Sequence, residues 1–288
     1  MHRKNDRSKH SKMKMCAADI LTVTICKLIC FAALLLFAIP IAYVLLASVY
    51  NRNSGWSMDG YLLLLNNKLV LTGLKNSIFL AACGSIYSLT LEIPAAYFLS
   101  KKEKKQVTDL FFYASLFGSA LLPLYLLLKE IHLLNTLWAL ILPCGLSIRN
   151  TQILRARMIN LSTELEDAAT MDGCHVIDYL LRICIPNIGP TVGVLAFFHA
   201  AGYWCSTLYA KTFLTDESKF PLTLVLEQVL IRNQTSSVLG SASSGASIAA
   251  LQNAEFALCV ISTLPLVLLF LLMKDKIRTL EIDGGLVL

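Results

Sequence analysis

Long apolar runs separated by short polar segments set the rhythm of this chain. A bilayer crossing needs roughly 20 mainly apolar residues. Six runs meet or approach that length: Leu28 to Val49, Ser77 to Leu99, Val107 to Leu128, Leu133 to Ile148, Ile188 to Ala210 and Ala254 to Met273. The fourth is short and carries Asn135 and Thr136 near one end, which leaves an interfacial or broken segment as its alternative form. In lipid a helix closes its backbone hydrogen bonds internally, whereas an open strand cannot. The pattern therefore predicts an all-α polytopic membrane protein with six transmembrane helices. Around the spanning domain at 28–273 lie a basic tail at 1–27 and a C-terminal tail at 274–288. Two polar loops, at about 149–187 and about 211–253, interrupt the domain.

The first of these loops changes period. Thr163 with Glu166 three residues on is a capping-box pair, and Glu164, Glu166 and Asp167 fall in the first turns of a helix, where the macrodipole favours anions. Asp172-Gly173 tolerates positive φ and marks a helix stop. From His175 to Cys184, Val176, Ile177, Leu180, Leu181 and Cys184 return at helical spacing, and Asp178 precedes Arg182 by one turn. Pro186 is expected to end this second helix before Pro190 opens the next run. Two short helices set at an angle follow, and an ordinary amphipathic connector is the plain reading of them. The second loop, rich in Ser and Gly from Thr235 to Ser247, reads as a small, flexible outer segment.

Composition agrees with the pattern. A chain of 288 residues that is 56% hydrophobic and 15% charged, with a mean hydropathy of +0.64, is excluded from the ordinary soluble domains. Of its 25 Lys and Arg residues, 18 fall in 1–27, 100–106, 149–186 and 274–288, and seven in the alternating segments. The positive-inside rule then puts both termini and the first polar loop in the cytoplasm. This asymmetry accounts for the net charge of +6, so no nucleic-acid partner is implied. The basic stretch from Arg3 to Lys14 precedes an apolar run too long for a signal peptide and without a small-x-small cleavage site, so an uncleaved span is expected. Nine cysteines are scattered without a C-x-x-C, and no metal or disulfide site is expected.

The loop carries a more specific message. Asp167-Ala168-Ala169, three residues, Gly173, nine residues, then Ile183-Cys184-Ile185-Pro186 resembles the EAA loop of binding-protein-dependent ABC importers, whose pattern is E-A-A, G and I-x-L-P at these intervals. Asp167 stands for the Glu and Ile185 for the Leu. From about Trp56 to Met273 the chain is also similar to the carbohydrate-uptake permeases of the smaller maltose-permease type. The matching strings are Trp56 to Tyr61, Leu133 to Pro143, Tyr203-Trp204 and Phe220-Pro221-Leu222, and they look like the complex polysaccharide and oligosaccharide subgroup.

That resemblance implies a multi-pass permease subunit in the bacterial cytoplasmic membrane. Its cargo would be a sugar or oligosaccharide delivered by an extracytoplasmic binding (lipo)protein. It would pair with a second homologous permease and two ATPase subunits. The coupling residues would be Glu166, Asp167, Ala168, Ala169, Asp172, Gly173, Ile183 and Pro186, with the Ala pair letting the helix lie close to the ATPase. ATP and Mg would be bound by the ATPases, so no cofactor is expected in this chain. Consistently, no G-x-x-x-x-G-K-[ST] occurs in it, and it is not expected to be an enzyme.

Polar groups inside the spans supply the pathway candidates. An ionisable group near mid-membrane costs at least ~2.5–3.5 kcal/mol, so it normally faces a cavity or a partner. Glu92, beside Pro94 in the second run, either lines the pathway or makes an interhelical hydrogen bond. In the fifth run His199 and Tyr203 share a helix face, with Trp204 adjacent, a combination that suits the hydroxyl rim and apolar face of a sugar. A packed, hydrogen-bonded His and interfacial aromatics are the alternative. An ion-coupled secondary transporter would use Glu92 and His199 as ion sites, but no internal repeat supports it. A membrane enzyme lacks paired carboxylates, a ligand cluster or a nucleophile motif here.

Overall fold

The structure, a computed structural model, describes residues 3–51, 55–56, 58–101, 109–110, 113, 121–161, 163–229 and 245–282. In chain order it has α1 (Arg3–Val49), a two-residue hairpin of β1 (Tyr50–Asn51) and β2 (Gly55–Trp56), α2 (Asp59–Leu65) and α3 (Lys68–Ser100). Then come α4 (Leu121–Glu130), α5 (Trp138–Ile141), α6 (Ile148–Ile159), α7 (Thr163–Met171) and α8 (Val176–Tyr179). A π-helix (Leu180–Cys184) joins α8 to α9 (Ile185–Asn187), followed by α10 (Gly189–Trp204) and α11 (Thr207–Phe213). A 3-10 turn (Glu217–Lys219), a short helix α12 at 222–229 and the long α13 (Gly245–Ile282) complete the described chain.

Among the described residues, Val23–Val49, Lys68–Ser100 and Asn253–Lys274 are helices long and apolar enough to cross a membrane. Val176–Asn187 and Gly189–Trp204 pass the same test as a pair, bent by 89°. The third sequence run, Val107 to Leu128, lies mostly outside the described residues, as does most of the Thr235 to Ser247 segment.

Three expectations are corrected. The fourth run, Leu133 to Ile148, takes the broken form. His132 and Asn135 adopt φ of 55° and 60°, and only the single turn of α5 forms before Pro143. Asn accepts the left-handed region at low cost, and proline removes a donor, so neither supports a continuous helix. The fifth run does not continue to Ala210. Its helix stops at Trp204, where the Ser206 hydroxyl donates to the Tyr203 carbonyl at 2.7 Å and competes with the helix ladder. Pro186 also fails to end its helix. The Ile185 N–H reaches back five residues to the Leu180 carbonyl, and the wider π turn accommodates a ring without an N–H before Ile188 closes the helix. The all-α expectation holds apart from the hairpin, in which Tyr50 pairs with Trp56.

The post of the fold is α3. The Asn67 side chain caps it by accepting from the Leu69 N–H at 2.9 Å, and Lys101 ends it by turning extended. Along it pack α6 and α10, and α13 packs on α1, α2 and α10. Two apolar clusters stack along this post. One gathers Leu80, Leu140, Trp204, Leu222 and Leu258. The other, at the Ser100 end, gathers Ile93, Ala96, Leu154, Leu180 and Leu195. Between them α3 presents Ser85, Ser88 and Glu92, all buried. The outer face of α1 is exposed from Leu28 to Leu46 and apolar, a surface for lipid or for another membrane protein.

Candidate functional site

The loop between α6 and α10 is braced against α3. α7 ends in a Schellman arrangement: the Gly173 N–H donates to the Thr170 carbonyl at 3.0 Å and the Cys174 N–H to the Ala169 carbonyl at 2.9 Å. Gly173 sits at φ +73°, and a Cβ built there meets nothing within 4 Å. The position therefore demands glycine for its backbone angle and not for space. Glu166 Oε1 is turned onto α3, where it accepts from the Tyr97 hydroxyl at 2.8 Å and from the Lys101 ammonium. Burial raises the Glu166 carboxyl, but the hydrogen bonds from Lys101 and Tyr97 and the charge of Lys101 outweigh that and hold it below the usual carboxylate range. Lys101 responds in the opposite sense: burial lowers it, and the bonds and charge of Glu166 carry it above the usual lysine value.

The two alanines divide. Ala169 is buried, 5% exposed, in the cluster with Ile93, Ala96, Leu154, Tyr179 and Leu180, whereas Ala168, Asp167 and Asp172 face outward. Ile183 is half-buried and Pro186 exposed. Beside Ala168 the loop shows Met171, Ile177 and Leu181 at 88%, 69% and 60% exposure. Apolar side chains displayed together on a polar loop mark a contact surface. Asp178 Oδ1 and Arg182 Nε lie 3.5 Å apart across one turn, both largely in solvent.

Glu92, His199, Tyr203 and Trp204 come together at the middle of the bundle. Glu92 is fully buried. Its Oε1 accepts from the Ser147 N–H at 2.8 Å, and its Oε2 lies 2.8 Å from His199 Nε2. The first contact places a carboxylate on the N-terminus of α6, where the helix dipole favours it. His199 Nε2 also lies 3.1 Å from Asn150 Nδ2. One ring nitrogen cannot donate to Glu92 and accept from Asn150 at once, so the two contacts correspond to two proton placements. Tyr203 Oη is 3.0 Å from Ser88 Oγ and donates to the Ile141 carbonyl at 3.2 Å. A Cβ at Gly84 would sit 2.5 Å from the Tyr203 ring, so this close approach of α10 to α3 requires glycine. The Trp204 indole donates to the Ser262 carbonyl at 3.0 Å, on the side of α13.

Above this layer opens a cavity of about 330 Å³ lined by Ser147, Arg149, Asn150, His199, Tyr203 and Tyr209, among others. Hydrogen-bonding groups and aromatic rings on one wall suit a polar, ring-shaped solute. A second cavity of about 470 Å³ between α3, α10 and α13 is lined by Ala81, Phe197, Leu266, Leu269 and similar side chains. The Ser85 hydroxyl there is spent on the Ala81 carbonyl, so it offers little to a sugar.

No protein-family model matches the chain. Protein LplC of Bacillus subtilis is 31% identical over 218 residues, covering 75% of this chain and 74% of LplC. The polygalacturonan/rhamnogalacturonan transport system permease protein YtcP of Bacillus subtilis is 28% identical over 222 residues, 75% of this chain and 76% of YtcP. The chain belongs to the carbohydrate ABC transporter permeases. Among solved structures, a chain of a bacterial ABC transporter involved in the import of the acidic polysaccharide alginate superposes with a TM-score of 0.78. That match covers 90% of this chain and 97% of the other at 20% identity, and it speaks for the fold.

Several residues of the permease that build these sites went unread in the sequence. Tyr97, Lys101, Ser88 and Gly84 gain meaning only through partners 65 or more positions away. Arg149 and Asn150 were legible only as parts of a polar loop. The helix that carries them packs along α3 through Thr151, Leu154 and Met158, and the Ser147 side chain accepts from the Asn150 N–H at 3.4 Å as its cap.

Proposed function

We propose that this permease is one of two related membrane subunits of an ATP-driven importer. On this reading it crosses the bacterial cytoplasmic membrane six times with both termini inside. A sugar or oligosaccharide arrives from an extracytoplasmic binding protein, and the loop from Thr163 to Asn187 docks into one of two ATPase subunits that hold ATP and Mg. Relatives named for polygalacturonan, rhamnogalacturonan and arabinooligosaccharides support the class of cargo. The observation that carries the coupling role is the brace at Glu166. It ties a loop with an exposed apolar surface to the very helix that bears Ser88 and Glu92.

Force reaches the cavity by two routes. When the ATPases close, α7 moves, and through Tyr97 and Lys101 it carries the Ser100 end of α3. That helix moves Glu92, and with it the N-terminus of α6 and His199. The second route is the 89° elbow at Ile188, through which α8 and α9 swing α10 and its Tyr203. Ala168, Met171 and Ile177 form the docking face, Gly173 sets the angle between the two loop helices, and Ala169 packs the loop onto the bundle. Single cysteines at Ala168 and Ile177 test this. Crosslinks from both to a co-purified ATPase in native membranes, dependent on nucleotide state, are expected. Efficient uptake with no such crosslink at either position would refute it.

A further inference from the structure

Arg149 has no counter-ion. It follows Ser147, which binds Glu92, and Glu92 lies about 12 Å inside the Ser100 end of α3 at 1.5 Å per residue. The guanidinium is thus carried at a depth where a bare charge is costly and is tolerated when it faces a cavity or a partner. Among the described residues no carboxylate lies within ion-pair distance of it. Glu92 cannot serve, because it is fully buried and its two oxygens are engaged by Ser147 and His199. Arg149 is exposed and lines the 330 Å³ cavity, whose wall contains no Asp or Glu at all. The cavity therefore holds an uncompensated, planar, permanently charged fork, beside the hydrogen-bonding His199 and Asn150 and the ring of Tyr209.

We propose that the cargo is anionic, an oligosaccharide carrying carboxylates of the uronate class, and that Arg149 is the residue that selects it. This rests on the importer reading above. A guanidinium receives a carboxylate through two parallel N–H bonds, a geometry that no neutral sugar hydroxyl reproduces. The sugar ring lies against Tyr209, and Asn150 and His199 face its hydroxyls. The charge is needed only while cargo occupies the cavity, and water solvates it at other times.

The test uses the complete assembly of both permeases, ATPases and binding protein in proteoliposomes. ATP-dependent uptake is followed for trigalacturonate, trimannuronate and neutral galactotriose, in the wild type and in Arg149→Gln and Arg149→Lys. Wild-type uptake of a uronate probe is expected, reduced about tenfold or more by Arg149→Gln, as the loss of a charge-assisted contact predicts. Arg149→Lys should fall between, and neutral uptake, where measurable, should stay within about twofold because it never used that contact. The proposal is overturned if the wild type takes up no uronate probe, if Arg149→Gln leaves uronate uptake intact, or if it lowers uronate and neutral uptake equally. The last result would assign Arg149 to a carboxylate of the partner permease or to gating. Uptake that persists without ATP would instead defeat the importer reading.

Discussion

Tyr97, in the last turn of α3, donates its hydroxyl to Glu166 Oε1 of α7 at 2.8 Å, and Lys101 meets the same oxygen from just beyond the helix. A single carboxylate oxygen is thus the joint between the loop and the post of the bundle. Both ends of the ion pair remain about a third exposed, at 38% and 33%, so solvent screens it and its contribution to stability is small. Its value is geometric. Glu166→Gln should change the unfolding free energy by less than about 1 kcal/mol yet lower cargo transported per ATP severalfold. Parallel measurement of hydrolysis and uptake in proteoliposomes checks this, and equal losses in both would count against a coupling joint.

The same joint carries a pH signature. Glu166 lies below its ordinary value when folded, so its contribution is present above the ordinary carboxylate range and is lost as pH falls through the lowered value. Lys101 lies above its ordinary value, so its contribution is lost only as pH rises through the raised one. Between those limits the brace is constant. Hydrogen-exchange protection of Thr163–Met171, corrected for intrinsic rates, should be flat through neutrality and fall on the acid side, and Glu166→Gln should abolish that step.

Gly173 separates conformation from space. Its φ of +73° lies in the left-handed region, and nothing stands within 4 Å of a built Cβ. Gly173→Asn should therefore be mild and Gly173→Val should cost about 1–3 kcal/mol of local strain. Crosslinking yield from Ala168→Cys to the ATPase in each background reports whether the angle of the loop has changed.

The neighbouring alanines should respond differently to the same change. Ala168→Arg adds a charge to an exposed face, so it should leave thermal stability within about 0.5 kcal/mol while weakening ATPase docking. Ala169→Arg forces a charge into the cluster around Ala96, Leu154 and Leu180, so the chain itself should be destabilised and its yield in membranes should drop. Thermal melts in detergent alongside co-purification of the ATPase distinguish the two.

Glu92 holds three elements together, and its variants should rank by what they leave unpaired. Glu92→Gln keeps an acceptor for the Ser147 N–H and a group for His199. Glu92→Leu orphans both, at about 1–3 kcal/mol for each buried polar group. Melting temperatures in a single detergent should therefore fall in the order wild type, Glu92→Gln, Glu92→Leu. A Leu variant as stable as the wild type would contradict the buried network.

Hydrophobic periodicity and local turn chemistry are properties of neighbouring residues, and the sequence alone therefore determined that the chain is helical and membrane-borne. By the same logic α7 could be read from Thr163 and its stop from Asp172-Gly173, because capping and positive φ are settled within one turn. The break of the fourth run at Asn135 and Pro143 was open in the sequence as an alternative for the same local reason. Tertiary structure decided what depends on residues far apart in the chain. It turned Glu166 to Tyr97 and Lys101, gave Ala169 to the core and Ala168 to the surface, let a π turn carry the helix past Pro186, and stood Arg149 in a cavity instead of in a loop. Each of these is a choice of partner, and a side chain's partner is set by which helices pack along α3, a fact that no local window of sequence contains.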